Sequence, residues 1–320
     1  MRKKDRIFRL VMTFFVLSVS LTSCHTPTYA TEDSFSAGQR DSGVTRFLVM
    51  GRDAAAGLTD SIFVVTLNDA TRQATVLQLP RDTYAEYTTR DYKKLNAALN
   101  TLGASETKRF LSRALGVRLD YFVTLDLSCV RRLVDAVGGV DVVLPQEMHY
   151  SDPEQGLEIN LPQGAVHLDG KGAEQLVRFR SGYVNADLGR LDAQKLFLQA
   201  FAKSCKKLSV GSLLKITGVV LTRVQTDIDL PTAIQIATKL QTYDTDCIPM
   251  ATLSGSAIRG NSGAWYYVLN KKGASLMINE YCLPQKILTE TEFDPDGIFD
   301  REDHPDFHKL YTAEPTTDGG

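Results

Sequence analysis

Three short apolar runs separated by polar turns stand out in the first third of the chain. They read RFLVM (residues 46–50), SIFVVTL (61–67) and ATVLQL (74–79), and each has the length and β-branched content of a strand. The gaps between them contain AAAG and NDATRQ, which favour turns. This pattern predicts a three-stranded antiparallel meander. The end of its first strand, the start of its second and the end of its third lie at one edge, which would bring together Asp53, Asp60 and Arg81.

Helical and strand patterns alternate after the meander. We predict helices over residues 93–103 and 105–116, with Ser105 as the N-cap of the second. A strand over 117–125, a helix over 127–137 and a buried strand over 140–144 follow. We interpret strand, helix and strand in this order as a right-handed crossover between parallel neighbours, which makes the sheet mixed.

The second half of the chain is predicted to be mainly helical. Residues 146–164 are polar and are expected to form a long lid or binding loop, and a short helix begins at Asp169 or Gly170. A long helix capped by Asp187 comes next, and further helices are predicted over 213–224, 230–243 and 271–283. The predicted buried stripe of the long helix also carries Gln194 and otherwise consists of Leu191, Leu198, Phe201, Cys205 and Leu208.

These elements predict an α/β fold, with a central mixed β-sheet flanked by helices in an α-β-α arrangement. We expect one domain over residues 45–283, preceded by a flexible linker over 25–44. Residues 284–320 are acidic and contain Pro and Gly throughout, so we predict a solvated, disordered tail.

The N-terminus has the pattern of an export signal. A basic stretch, MRKKDRIFR, precedes a short apolar run that ends in Leu21-Thr22-Ser23-Cys24, which resembles a bacterial lipobox. We therefore expect residues 1–24 to be a signal peptide with Cys24 as the lipid-anchored residue. A retained signal anchor starting at Ile7 and cleavage after Ala30 are the alternatives. All three place the rest of the chain outside the cytoplasm, and either form of anchor holds it at the outer face of the cytoplasmic membrane.

Composition narrows the function classes. The 320 residues are 43% hydrophobic and 23% charged, which is typical of a globular protein, and the formal net charge of -2 gives no support for nucleic-acid binding. Zinc-ligand spacing, a Walker A loop and a nucleophile elbow are all missing from the sequence. The four cysteines after Cys24 are widely spaced, and buried free thiols are the simplest interpretation.

Two groups of charged residues could carry chemistry. Asp53, Asp60 and Arg81 could hold a divalent metal against a phosphate, because hard cations prefer carboxylates and guanidinium groups fit phosphate. A surface ion pair beside ordinary loop aspartates is the alternative. Arg190 and Gln194 lie four residues apart and could hold an anion, or Arg190 could pair locally while Gln194 lies at the edge of the core.

Six sequence segments in order resemble the LytR-CpsA-Psr family of bacterial cell-envelope glycopolymer transferases. They are VMGRD followed by TDSIFVV, LQLPRDTY, KKLNAAL, LVDAVGGVDVVLP, INLPQGAVHLDGKGAEQLVRFR and DLGRLDAQKLFLQA. The resemblance covers residues 45–283. It implies a phosphotransferase that moves a glycopolymer, such as a teichoic acid or capsule polymer, from a polyprenyl-pyrophosphate carrier to peptidoglycan.

The resemblance also implies roles for residues. Asp53 and Asp60 would bind Mg²⁺, and Asp60, Arg81, Arg178 and Arg180 would be catalytic. The polyprenyl chain would enter a hydrophobic lipid-binding tunnel between sheet and helices. The residues expected around the pyrophosphate are Arg81, Lys94, Arg178, Arg180, Arg190 and Gln194.

This chain departs from the family pattern near the first carboxylate. Members commonly have an arginine shortly after the first aspartate and another before the second, whereas this chain has Ala54, Ala55, Ala56 and Leu58. Ala193 likewise stands where an arginine commonly precedes the glutamine. A polyprenyl-pyrophosphate hydrolase and a non-catalytic lipid- or glycan-binding regulator of the envelope are therefore the alternative functions.

Overall fold

The computed structural model describes residues 41–52, 57–87, 94–153, 156–179, 186–209, 211–212, 216, 224–284 and 286–299, with side chains of the long helix described from Ala193 onward. All of these belong to one compact unit that spans residues 37–320. Asp53, Arg180, Cys24 and most of the predicted helix over 213–224 therefore lie outside the described residues.

Twelve strands are found in the described part of the chain. In chain order they are β1 (Val44–Arg52), β2 (Thr59–Asn68), β3 (Gln73–Leu79), β4 (Tyr121–Asp126), β5 (Val140–Leu144), β6 (Met148–Asp152), β7 (Leu157–Leu161), β8 (Gly164–Leu168), β9 (Gln225–Thr226), β10 (Met250–Thr252), β11 (Gly255–Arg259) and β12 (Trp265–Leu269).

The helices surround these strands. A 3₁₀ turn over Leu95–Ala97 leads into α1 (Ala98–Leu102), and the remaining helices are α2 (Ala104–Ala114), α3 (Leu127–Val137), α4 (Gly170–Arg178), α5 (Ala186–Lys206), α6 (Leu230–Leu240) and α7 (Lys271–Cys282). None of the described helices is long and apolar enough to cross a membrane.

The predicted meander forms the centre of a six-stranded sheet with the order β10-β3-β2-β1-β4-β9. β1, β2 and β3 pair antiparallel, whereas β4 runs parallel to β1 and β10 runs parallel to β3. The sheet is thus mixed, as predicted.

Helices cover both faces of this sheet, which confirms the predicted α-β-α arrangement. On one face, Leu48, Val64 and Leu77 stand side by side on neighbouring strands and pack with α1, α2 and α7. On the other face, Phe47 and Val76 belong to a second cluster that includes residues of α5 and α6. Strict alternation along the strands therefore supplies two hydrophobic layers.

The predicted crossover is wrong. β4 lies in the central sheet, but β5 pairs with β8 in a separate antiparallel ribbon. Side chains of β5 alternate between buried and exposed, with Val143 69% exposed, so β5 is not a buried central strand. The ribbon packs with α3, α4 and α5 around a cluster of its own.

The predicted loop over residues 146–164 is also wrong, because β6 and β7 form an antiparallel pair within it. Leu157, Ile159 and Leu161 alternate with polar residues and bury their side chains. This alternation with a period of two indicates a strand. The overall polarity of the segment favoured a loop instead.

Two smaller details differ from prediction. α2 begins at Ala104 with Gly103 as its N-cap, so Ser105 is not the cap. The buried stripe of α5 is formed by Ala193, Gln194, Phe197, Ala200 and Ser204, while the predicted Leu198, Phe201, Cys205 and Leu208 are only partly buried beside it. The helix contacts two clusters at once, which shifts its most buried line by one residue.

The expected solvated tail from Pro284 is contradicted as far as Phe299. Leu288, Phe293 and Phe299 are buried against the core that contains α2 and α7. The polarity of this stretch conceals three apolar anchors spaced far apart. The four described cysteines are free thiols: two are buried, Cys205 is half-buried and Cys247 is exposed.

Candidate active site

A β-bulge places Asp60 at the edge of the central sheet. Gly51 on β1 pairs with Ser61, and the next residue, Arg52, pairs with Thr59, so that Asp60 is the extra residue on β2. A bulge removes a residue from the regular ladder and changes the direction of its side chain.

The Asp60 carboxylate accepts a hydrogen bond from Arg81 across 2.5 Å between Oδ1 and Nη1. The side chains of Asp60 and Arg81 are 31% and 26% exposed, so the pair is accessible to a ligand while partly shielded from water. The prediction that these two residues share one edge of the meander is confirmed.

The backbone around Arg81 is fixed by a turn. β3 ends before Pro80, which lacks an N–H for the ladder, and the Thr83 N–H donates to the Pro80 carbonyl at 3.0 Å. The Arg81 carbonyl in turn accepts from the Asn96 N–H at 2.9 Å. Arg81 is therefore held between the end of β3 and the 3₁₀ turn.

Lys94 joins the same group through Asp82. Its ammonium lies 2.9 Å from the Asp82 carboxylate, which is also 3.6 Å from Nε of Arg81. The Lys94 ammonium also lies 5.6 Å from the centre of the Tyr266 ring. Two aspartates and two cations thus form one continuous group at the sheet edge.

Gln194 lies beside this group in a buried network. Its amide accepts from Gln78 at 3.1 Å and donates to Ser61 at 3.0 Å, and the residue is 7% exposed. Gln194 thereby connects α5 to β2 and β3 immediately next to Asp60.

Arg178 belongs to a different group in the described contacts. At the C-terminal end of α4 it lies 3.6 Å from Glu174, which also pairs with Arg131 of α3 at 3.2 Å. Arg180 and Asp53 lie outside the described residues, as do the side chains of Asp187 and Arg190, although α5 includes both of the latter in its first turns.

Several site neighbours were missed by the sequence analysis. Asp82 directly follows Arg81, and Arg52 directly precedes Asp53, so position in the motifs was the available signal. Arg52 is exposed and lies across from Thr59 at the bulge. Asp126 lies across from Arg52 on β4, where it caps α3, and hydrogen bonds from Ser128 and the Cys129 N–H lower its pKa.

Magnesium requires oxygen ligands, and the described part of the site offers some. The Oγ1 of Thr59 and the Oδ1 of Asn96 are buried without a hydrogen-bond partner among the described residues. Within the same described part, no three His, Cys, Asp or Glu side chains cluster tightly enough to hold a metal. Mg²⁺ commonly uses one or two carboxylates together with substrate phosphate oxygens, and Asp60 offers one such carboxylate.

Comparison with known proteins gives a consistent result. The LytR_cpsA_psr family model matches residues 13–281. The chain is 28% identical over 216 residues to the polyisoprenyl-teichoic acid–peptidoglycan teichoic acid transferase TagV of Bacillus subtilis (strain 168), a match that covers 66% of this chain but only 55% of TagV.

Two further comparisons cover more of the related chain. TagU of Oceanobacillus iheyensis, a transferase with the same descriptive name, is 26% identical over 72% of this chain and 73% of its own length. The crystal structure of B. subtilis TagV superimposes with a TM-score of 0.65 at 26% identity, covering 76% of this chain and 98% of the solved chain.

Proposed function

Because the chain belongs to the LytR_cpsA_psr family, we propose that it transfers a glycopolymer of the teichoic acid class from a polyprenyl-pyrophosphate carrier to a hydroxyl group of peptidoglycan. The observation that carries this proposal is the Asp60–Arg81 pair at the bulge, continued by Asp82 and Lys94. A pyrophosphate diester is doubly anionic, and such a group of cations at an accessible edge suits it.

In the proposed reaction the acceptor hydroxyl attacks the phosphorus that carries the glycan, and the bond to the polyprenyl phosphate breaks. Negative charge grows on the phosphate oxygens as the leaving group departs. Arg81 and Lys94 would stabilise that charge, since both cations lie at the accessible sheet edge beside Asp60 and Asp82.

Further cations would come from α4, from the start of α5 and from β1. We assign Arg178, Arg180 and Arg190 to the pyrophosphate, as the family resemblance implies, and add Arg52 because it borders the bulge. Arg52 would offset the arginines that family members commonly have in the segment where this chain has Ala54, Ala55, Ala56 and Leu58. Gln194 would act mainly by holding α5 against the strands that carry Asp60.

Asp53 and Asp60 would hold the proposed Mg²⁺. When bound, the ion would neutralise pyrophosphate charge and orient the phosphates. Arg81 would keep the Asp60 carboxylate oriented, and the half-buried position of the pair would strengthen its interaction with the substrate.

A tunnel for the polyprenyl chain is proposed between the central sheet and α5 with α6. Several apolar side chains on this face of the sheet are only half-buried, although they pack against a hydrophobic cluster. Apolar side chains that remain partly exposed between the sheet and its covering helices would be covered by a bound isoprenoid chain. They are Val49, Phe63, Val65, Tyr121 and Met250.

The same function requires the domain to lie in the cell envelope at the outer face of the cytoplasmic membrane. The proposed attachment is acylation of Cys24, with a retained signal anchor as the alternative. Both give the site direct access to a lipid-linked donor.

The test is release of polyprenyl phosphate from a synthetic lipid-pyrophosphate-linked sugar, with and without peptidoglycan oligomers and Mg²⁺. We expect Asp60→Ala and Arg81→Ala each to lower Mg²⁺-dependent transfer by about 10²–10³-fold. Arg109→Ala is the matched control, because Arg109 forms an exposed ion pair with Glu106 on α2.

The outcome separates three functions. Sugar transferred to the glycan supports the transferase, release without transfer supports a hydrolase, and tight donor binding without turnover supports a non-catalytic binding protein. Equal activity in Arg81→Ala and Arg109→Ala would contradict the assignment of the site.

A further inference from the structure

The single tryptophan of the chain is on the surface. Trp265 begins β12 and is 56% exposed. Tryptophan is on average highly buried, and an exposed indole at a functional edge is often a binding residue. A single exposed apolar side chain is common on protein surfaces. Whether Trp265 binds a ligand is therefore judged from its position relative to the site.

β12 is hydrogen-bonded to the loop that carries Arg81 and Asp82. The Tyr267 N–H donates to the Asp82 carbonyl at 2.8 Å, and the Tyr84 N–H donates to the Tyr267 carbonyl at 2.9 Å. These bonds form a parallel bridge between Thr83 and Tyr267. Trp265 lies two residues before Tyr267, about 7 Å from the bridge along β12. The bridge and the bond to the Asp82 carbonyl therefore place the start of β12 beside the turn that carries Arg81 and Asp82.

An arginine accompanies the indole. Arg259 is the direct cross-strand partner of Trp265 on β11, it is exposed, and its Nε donates to the Gly263 carbonyl at 3.3 Å. Cross-strand partners lie close enough to contact one ligand together. The pair therefore offers a flat apolar surface and a hydrogen-bond donor for a carboxylate or carbonyl oxygen.

We propose that Trp265 and Arg259 bind the acceptor, with one sugar of a peptidoglycan glycan strand stacked on the indole and an acetamido or lactyl oxygen bound to the guanidinium. This assignment rests on the proposed function. A sugar ring presents an apolar face of C–H groups that can cover an indole, and tryptophan and arginine are enriched among the residues that contribute most at protein–protein interfaces.

The acceptor fits this pair better than the donor. Alternation along β12 puts Tyr266, with Lys94 over its ring, on the opposite face of the strand from Trp265. A teichoic acid carries repeated phosphates, whereas this pair offers one guanidinium beside an apolar ring. A glycan on Trp265 would approach the turn that carries Arg81 from the face of β12 opposite to Lys94.

Because the chain has one tryptophan, its fluorescence reports on this position directly. We expect a saturable emission change when the full chain is titrated with a tetrasaccharide of alternating N-acetylglucosamine and N-acetylmuramic acid. Arg259→Ala should weaken the apparent affinity by about fivefold or more. Maltotetraose, which lacks acetamido and carboxyl groups, is the control ligand.

The fluorescence experiment needs no turnover, so it decides the proposal even if the chain proves inactive as a transferase. A spectrum unchanged at high tetrasaccharide concentration overturns the proposal. A saturable change produced by a soluble poly(glycerol phosphate) fragment and not by the tetrasaccharide also overturns it, in favour of the donor.

Where transfer is measurable, Trp265→Ala should raise the KM for the acceptor by about fivefold or more while the KM for the lipid donor stays constant. Trp265→Tyr should return the KM for the acceptor most of the way to the wild-type value, because an aromatic ring face is retained. Leu276→Ala is the control, since Leu276 is 61% exposed on α7. Loss of thermal stability in Trp265→Ala with an unchanged acceptor KM would show that the residue only stabilises the hairpin.

Discussion

Asp60 shows how one inserted residue can build a binding edge. The neighbours of Asp60 remain in the ladder, with Ser61 opposite Gly51 and Thr59 opposite Arg52. Asp60 alone is released from pairing, and its carboxylate meets Arg81 from the loop after β3. The bulge thus combines a rigid sheet with a side chain directed at a ligand, a combination that loops achieve less accurately.

Gln194 is the residue whose environment most clearly links stability to the site. Its amide satisfies both Gln78 and Ser61 in a buried position. We expect Gln194→Ala to lower the free energy of unfolding by about 1–3 kcal/mol, because the buried Gln78 and the half-buried Ser61 lose their partner. Thermal denaturation followed by circular dichroism measures the effect.

Gln235→Ala is the matched control, because Gln235 lies on the exposed face of α6 and its loss should change stability by less than about 0.5 kcal/mol. Equal stability of the two variants would mean that the Gln194 network contributes nothing to the attachment of α5. The role that would remain for Gln194 is the pyrophosphate binding that the family resemblance implies.

At the scale of elements, one ion pair fastens α6 to the meander. Lys239 near the end of α6 lies 2.6 Å from Asp69 in the turn between β2 and β3, and the Tyr243 hydroxyl donates to the same carboxylate at 2.7 Å. The hydrogen bond from Lys239 lowers the pKa of Asp69 below its ordinary value of 3.8. Burial, together with the bond to Asp69, raises the pKa of Tyr243.

The lowered pKa gives this contact a defined pH dependence. An aspartate with a lowered pKa in the folded state stabilises the protein above its unfolded pKa and loses that contribution as pH falls through the folded value. We therefore expect wild type to be more stable than Asp69→Asn at pH 7, and the difference to shrink below about pH 4. Urea denaturation at several pH values measures it.

Asp246→Asn provides the comparison, because Asp246 is 82% exposed and lies 3.7 Å from Lys203. This substitution should change stability little at any pH. A stability difference for Asp69→Asn that persists unchanged at pH 2.5 would exclude the carboxylate charge as its source.

The elements could be predicted where local pattern determines them. β1 to β3 and the helices α3, α6 and α7 follow periodicity and turn residues. α4 begins at Gly170, one of the two predicted starts, and is capped by Asp169 through the Gly172 N–H. Pairing between distant strands could not be predicted, because the β-branched run of β5 fits a central strand as well as a ribbon. Only the long-range partner, β8, distinguishes the two.

The site residues also divide into those that local pattern predicts and those that depend on three-dimensional contacts. Asp60 and Arg81 were predicted to meet because strand order alone brings their ends together. Asp82 and Ser61 were missed, since their roles depend on which atoms face Lys94 and Gln194 in three dimensions. The predicted grouping of Arg178 with these residues came from the family resemblance and stays a prediction.

At the scale of the whole molecule, the segment over residues 286–299 connects the C-terminal part of the domain to the site loop. The Glu86 N–H, shortly after Asp82, donates to the Ile298 carbonyl at 2.8 Å, and the Asp294 N–H donates to the Ala114 carbonyl at 2.9 Å. Gly116 allows the close approach: its φ is +65°, and a Cβ there would lie 2.6 Å from the Glu292 carbonyl oxygen. The domain therefore extends past the boundary at Leu283 that the sequence suggested.

Phe293 is the main apolar anchor of this segment, at 1% exposure and stacked on Phe299. We expect Phe293→Ala to lower the free energy of unfolding by about 3–5 kcal/mol, because it leaves a cavity in the core shared with α2 and α7. Ile287→Ala should have almost no effect, because Ile287 is 82% exposed in the same segment. If denaturant titration gave both variants the stability of wild type, the segment would be a dispensable extension, and the expected solvated tail would describe it in solution after all. A large loss for Phe293→Ala alone would make residues 286–299 an integral part of the domain that holds the Arg81 loop in place.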